Sequence, residues 1–322
     1  MLLVNLFFAN AGQFPKTERR LAKEWIMAQI DEKLANLDLN GLRAEIDEID
    51  RAMHDLIIRR TRVVQAVGAF KDRQIAQGSK VRVPYRPARE ARIMRNLVRS
   101  HDGAFPKTAL IQIWRELIAA GTRLEAPYTV ALCRDADGQD CWELARLNFG
   151  CLNEIIEFDS QLEAIHALED GRAAVGVFPA PVPGEGHSWW PLIAQDSAVR
   201  VVSKLPFGGR PVGRGEDTEG FVLAAIDLEE SGDDRTLFVV KVEQPGDEAT
   251  LRKDFAKASP GSAILGVFTP EAENHCFVLV DVAGFLCNQG ENFRSTLLDH
   301  GLKCGDVRVL GAYGVPIPAD EM

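Results

Sequence analysis

Between Gly41 and Lys71, apolar residues recur at Leu42, Ile46, Ile49, Met53, Leu56, Val63, Val67 and Phe70. The steps alternate four and three, and Arg60 occupies the one place the pattern misses. A stripe held over this many turns predicts one long amphipathic helix. Asp38 or Asn40 is placed to cap its start. At ~1.5 Å per residue the helix runs roughly 45 Å, longer than a small domain is wide. Its apolar face therefore calls for a second helix, from another copy of the chain or from a partner.

The cations on this helix are unusually placed. Arg60 sits within the apolar stripe, and Lys71 follows eleven residues later. At ~100° per residue Lys71 returns to nearly the same face, about 16 Å along the axis. Two long basic side chains leaning across that gap suit a small dianion. Arg43 lies about 25 Å from Arg60 and roughly 100° round the helix, too far to reach the same ligand from its own chain. In an antiparallel dimer, Arg43 of a second copy completes the pocket. The plainer alternative pairs Arg60 with a helix carboxylate and leaves Arg43 and Lys71 in solvent.

The length of 322 residues allows two or three domains with ordinary cores. A net charge of −10 and a pI near 5.2 argue against a nucleic-acid or anionic-membrane partner. The six cysteines form no CxxC pair and no metal-ligand spacing, so they read as reduced thiols of a cytoplasmic protein, with no metal site. The opening MLLVNLFFAN is apolar but short, and no basic residue precedes it, so it makes a poor signal peptide and is too short to span a bilayer. Residues 1–39 are expected to form an N-terminal extension, helical in pattern from 16 to 37.

After Lys71 comes a polar, basic connection containing Gly78. Pro87 suits a first helical turn, so a second helix is expected from Pro87 to Ser100. Pro106 opens a third, with Leu110, Trp114, Leu117 and Leu124 on one face, and Pro127 ends it. Gly121 inside this helix costs up to ~1 kcal/mol against alanine, tolerable if something must lie against that turn. From Tyr128 the pattern turns α/β. Strand-like YTVALCR, IIEF and AAVGVFP alternate with helical WELARLNFG and SQLEAIHALEDG. Residues 204–220 are rich in glycine and lack a phosphate-cradling spacing, so they read as a loop. FVLAAIDL is expected to be a strand. From TLFVVKVE onward the order is βαββαβ, as in ferredoxin-like modules. The aromatic cluster His187-Ser188-Trp189-Trp190 is expected to be packing or interface, and His54 a surface residue.

The run LRxEIDxID…RR…VGxxK, followed by RPxRE and by a third helix ending in Glu125, resembles the all-α class of chorismate mutases over residues 40–126. That resemblance implies a three-helix domain in an intertwined homodimer. It also implies that Arg60, Lys71 and Arg89 bind the carboxylates and ether oxygen of chorismate, that Arg43 enters from the other subunit, and that Glu90 holds the ring hydroxyl. Glu125 falls where the family has Gln or Glu near the ether oxygen. Gly121 stands where many relatives have Ser, and Arg86 near a position often held by Asp. Residues 128–220 resemble an eroded prephenate dehydratase lobe. GVFPAPVPGEG lines up with the dehydratase pattern GVVPIENSxEG without its Glu-Asn pair, and Thr218-Glu219-Gly220-Phe221 lacks the arginine of the catalytic Thr-Arg-Phe. Residues 221–322 resemble an ACT regulatory domain. VLGAY at 309–313 matches its closing strand, but the ESRP signature is absent. The expected architecture is thus multi-domain, α plus α/β, with an amino-acid effector implied at the ACT-like part.

The implied reaction is a rearrangement within one molecule and needs no nucleophile, metal or cofactor. Preorganised cations hold the reactive shape and stabilise charge growing on the ether oxygen. Glu125 can donate a hydrogen bond there only when protonated. Two other functions fit the same residues: an isochorismate–pyruvate lyase sharing the helical fold, and a non-catalytic metabolite-sensing module acting through the ACT-like part.

Overall fold

The computed structural model describes residues 16–77, 83–133, 141–181, 189–194, 197–209, 218–270 and 274–322. The chain divides into two compact units, Met1–Val63 and Val64–Met322.

The first unit holds helix α1 (Lys16–Ala35) and the larger part of α2 (Leu39–Ala76), an unbroken helix of 38 residues. Asp38 supplies the expected cap: its Oδ1 accepts from the Gly41 amide at 2.8 Å. Lys33 Nζ donates to Glu45 Oε2 at 2.7 Å, tying α1 to α2. The stripe predicted for α2 is open here, with Ile46, Ile49, Met53, Leu56 and Val63 between 47% and 62% exposed. A helix of this composition gains most of its stability from burying such a face, and within this chain the face is left open.

The second unit begins with the end of α2 and continues through α3 (Pro87–Ser100) and α4 (Lys107–Glu125). Prolines set these boundaries as expected: Pro87 occupies the first turn of α3 and Pro106 stands at the start of α4. Ala91, Met94 and Val98 of α3 and Ile111 and Ile118 of α4 form one small core with Phe207 and Ile317.

The rest is a single nine-stranded sheet in the order β2-β1-β3-β5-β4-β9-β6-β8-β7. Strands β1 (Thr129–Cys133), β2 (Glu154–Phe158) and β3 (Val175–Pro179) are parallel, joined through helices α5 (Cys141–Phe149) and α6 (Gln161–Glu169). Ser160 caps α6 by accepting from the Glu163 amide. After the short α7 (Trp190–Ile193) come β4 (Arg200–Leu205) and β5 (Gly220–Ala224). Then β6 (Asp234–Glu243), α8 (Glu248–Ala258), β7 (Ala263–Phe268), β8 (His275–Ala283), α9 (Gly290–Asp299) and β9 (Cys304–Gly314) complete the predicted βαββαβ run. Its four strands lie in the order fourth, first, third, second and are antiparallel throughout. Among the described residues no helix is long and apolar enough to cross a membrane.

Two features differ from the expected pattern. Strand β4 is additional to it, because its Arg, Ser and Lys break the apolar run and glycines follow closely. The FVLAAIDL strand, expected to open the last segment, is β5 and runs antiparallel between β3 and β4. The earlier lobe and the βαββαβ run then share one sheet, since β4 pairs with β9 through Val201 and Gly311. A Cβ at Gly311 would collide with the Val201 carbonyl and side chain, so only glycine lets the two strands meet here.

Trp189 and Trp190 are core residues, each 1% exposed. Trp189 Nε1 donates to the Pro179 carbonyl at 2.8 Å, and its ring packs on Phe178 and Phe221. This part of the aromatic cluster is packing, as expected. His187 and Ser188 lie outside the described residues, as do 182–186 of the GVFPAPVPGEG stretch and 210–217 of the glycine-rich loop.

Candidate active site

Within the second unit, two of the candidate residues meet directly. Lys71, near the end of α2, donates through Nζ to Glu125 Oε2 at the last residue of α4. The pair is partly buried. Its approach depends on Gly68, three residues before Lys71 and so on the same face. Gly68 is buried, and a Cβ built there would lie 3.5 Å from Glu125 Cα. The VGxxK spacing thereby acquires a cause: a glycine lets α2 approach the backbone of α4, and the lysine one turn later reaches across. Gly121, one turn before Glu125, is also buried.

The neighbouring residues of α3 go separate ways. Arg89 is exposed, whereas Glu90 is 7% exposed and faces inward. Arg115 of α4, 5% exposed, donates from Nη1 to Glu90 Oε2 at 2.7 Å. Burial pushes the Glu90 carboxyl up to about 7, although Arg115 pulls the other way. Tyr85 and Tyr128 close the surroundings, and burial raises both phenols above their ordinary range. Arg115 was not among the expected site residues. Its partner is 25 positions away on another helix, and no spacing rule connects them.

Arg86 stands just before α3. It forms an ion pair with Glu229 at 2.7 Å. Arg95, two turns further along α3, donates to the carbonyls of Ser231, Asp233 and Val315. These contacts fasten α3 to the segments on either side of the β6–β9 module. Arg43 and Arg60 belong to the first unit, where both are exposed on α2. The structure thus joins Lys71 with Glu125 and gives Glu90 an arginine partner.

Two stretches singled out in the sequence lie side by side. Phe178 pairs with Phe221 and Pro179 with Gly220 across β3 and β5. Glu219 directly precedes β5. Its carboxylate pairs with Lys204 at 2.9 Å, and its carbonyl accepts from the Ala180 amide.

Residues 42–126 match the family described as chorismate mutase type II. The bifunctional chorismate mutase/prephenate dehydratase of Pseudomonas aeruginosa is 31% identical over 150 residues, covering 46% of this chain and 40% of that protein. The protein of the same description from Aquifex aeolicus is 34% identical over 99 residues, covering 29% and 25%. The chain therefore spans less than half the length of these curated relatives. Among solved structures, the prephenate dehydratase from Streptococcus mutans superposes with a TM-score of 0.40 at 15% identity, covering 59% of this chain and 98% of that one. A likeness this loose bears on neither activity nor ligand.

Proposed function

We propose that the chain is a chorismate mutase, acting in aromatic amino-acid synthesis as a homodimer whose sites are shared between copies. The observation that carries the reading is the Lys71–Glu125 contact, made inside the segment that matches the mutase family. The open apolar face of α2 supports the dimer: an antiparallel second copy buries the stripe and brings Arg43 toward the Lys71 end of its partner.

In this reading Arg60 and Arg89 hold the two carboxylates, each through its planar fork of donors. Arg43 of the second copy completes the cationic enclosure. Lys71 supplies a point charge at the ether oxygen, where negative charge grows as the C–O bond breaks. Glu125 contributes on the same side when protonated. Glu90, sequestered by Arg115, sets the position of α3 and presents its carboxyl to the ring hydroxyl. Gly121 leaves room against α4. The bond changes are internal to the substrate, so positioning and electrostatics supply the rate acceleration.

The domain division runs along the same lines: an N-terminal extension to residue 39, the mutase domain from 40 to 126, an eroded dehydratase lobe from 128 to 220, and an ACT-like module thereafter. The strand order of the last four strands supports the module. An amino acid is the effector class it would take. Loss of the Glu-Asn pair and the Lys204–Glu219 pairing support a lobe without dehydratase chemistry.

Product analysis tests the reading. Purified chain incubated with chorismate and followed by proton NMR yields prephenate, with no phenylpyruvate above the uncatalysed background at neutral pH. Isochorismate under the same conditions yields no enzyme-dependent pyruvate. Pyruvate release from isochorismate, with chorismate untouched, would replace the mutase by the lyase.

A further inference from the structure

Helix α3 carries Arg89 and Glu90, and it is held on two sides. On one side Glu90 Oε2 accepts from Arg115 of α4 at 2.7 Å. Arg95 is five residues further on, about 140° round the helix, and is half-buried. Its Nη2 donates to the carbonyls of Asp233 at 2.7 Å and Val315 at 2.8 Å. Its Nη1 donates to the Ser231 carbonyl at 3.2 Å and to the Ser231 hydroxyl at 3.0 Å. A guanidinium presents its N–H donors in a rigid fork, so these acceptors fix its direction as well as its place.

The acceptors are themselves held. Asp234, buried at the first position of β6, accepts from the Ser231 hydroxyl through Oδ1 at 2.6 Å. Its Oδ2 accepts from the amides of Ser231 and Gly232 at 2.9 and 3.0 Å. The Val315 amide donates to the Asp233 carbonyl at 2.9 Å, which ties the end of β9 to the same turn. Phe207 links the two sides of the helix. Its ring centre lies 5.5 Å from Cζ of Arg95 and 5.6 Å from Cζ of Arg115, and its carbonyl accepts from the Ile317 amide at 2.7 Å. The rotation of α3 about its own axis is therefore set by the sheet as well as by α4.

Side chains reach roughly 6 Å from a helix axis, so turning α3 by about 10° moves a side-chain tip by roughly 1 Å. Misplacement on that scale can cost a site up to about a hundredfold. Arg89 lies six residues before Arg95, about 9 Å along the axis, and is exposed. We propose that Arg95 is a positioning residue for the mutase. By locking α3 to the turn before β6 and to the end of β9, it fixes where Arg89 presents its guanidinium to a substrate carboxylate. The proposal rests on the mutase reading, in which Arg89 holds that carboxylate in the ground state and the transition state alike. Losing its position therefore weakens substrate binding more than the chemical step.

Steady-state turnover of chorismate by full-length variants tests this, each shown by circular dichroism to be folded at the assay temperature. Arg95→Leu removes every donation and raises KM about tenfold, with kcat within about twofold of the wild type. Arg95→Lys keeps the charge but not the fork, and raises KM about threefold. Arg99→Leu, exposed one turn further along α3, behaves as the wild type. Added to Arg89→Ala, Arg95→Leu lowers kcat/KM by less than about twofold, because the residue it positions is already gone. An arginine that served stability alone would reduce the folded fraction, and so kcat, and leave KM untouched. The proposal is overturned by a wild-type KM in Arg95→Leu, or by a full tenfold further loss when that change is added to Arg89→Ala. Should Arg95→Leu fail to fold, a wild-type KM in Arg95→Lys overturns it instead. A wild type that converts no chorismate is a different result: it contradicts the mutase reading, and the proposal falls with it.

Discussion

Lys71 Nζ donates to Glu125 Oε2 across 54 positions of sequence, joining the end of α2 to the end of α4. In the proposed mutase both groups turn to the ether oxygen of the substrate. Lys71→Ala should lower kcat by about two to three orders of magnitude, the usual cost of one preorganised donor at a developing oxyanion. Steady-state turnover of chorismate checks this. Glu125→Gln keeps a side chain of the same shape that can donate, so kcat should be held, whereas Glu125→Ala should lower it by about tenfold or more; equal activity in the alanine variant excludes a role for Glu125.

Gly68 provides a graded probe of the same approach. The Cβ of Gly68→Ala lies at ordinary contact distance from Glu125, and alanine is the better helix former by up to ~1 kcal/mol. Gly68→Ala should keep activity and hold or raise Tm. Gly68→Leu must push α4 away from α2, and kcat should drop as in Lys71→Ala. Equal activity in the leucine variant means that the close approach of the two helices is not needed.

Glu90 makes stability depend on pH in an unusual direction for a carboxylate. Its burial outweighs the pull of Arg115, so the folded chain binds the proton more tightly than the unfolded chain does. The stability this provides is full below the ordinary carboxylate range and is lost as pH rises through about 7. The loss is on the order of 3 kcal/mol. Glu90→Gln should remove this slope, as read from urea unfolding at a series of pH values. Arg115→Leu removes the group that pulls the other way, so burial should push the Glu90 carboxyl further up and the slope should extend to higher pH.

Gly311 is the contact through which β4 and β9 make one sheet. Gly311→Ala places a methyl group inside the Val201 backbone, and the strands must part. Tm should fall by more than for a surface substitution, with faster hydrogen exchange along Val201–Ser203. An unchanged Tm would show that the join is dispensable.

The three helices were legible because their signals are local. A repeat of four and three marks α2, and prolines at 87, 106 and 127 mark the limits of α3 and α4. The alternation of strands and helices after Tyr128 was legible for the same reason. Strand β4 was not: it gains its place by pairing with β5 and β9, both distant in sequence, and its own residues alternate poorly. Nor did local pattern place β5 beside β3, since the pairing spans the stretch that holds α7 and β4. At the site, Lys71 and Glu125 were recognisable as candidates because each closes a motif on its helix. Arg115 was not, because an arginine among apolar residues on a helix looks like a solvated one until its carboxylate partner is found. Gly68 stands within a motif, but its role emerges only with α4 packed on it.

The sharing of one site between two copies can be tested by mixing. Arg43→Ala and Lys71→Ala are each predicted to lack activity as homodimers, since each lacks a part of both sites. Unfolded and refolded together in equal amounts, they form mixed dimers holding one complete site. Chorismate turnover should then return to about a quarter of the wild-type value, as random pairing requires. No recovery in a mixture shown by mass spectrometry to contain mixed dimers, or full activity in Arg43→Ala alone, would contradict the shared site.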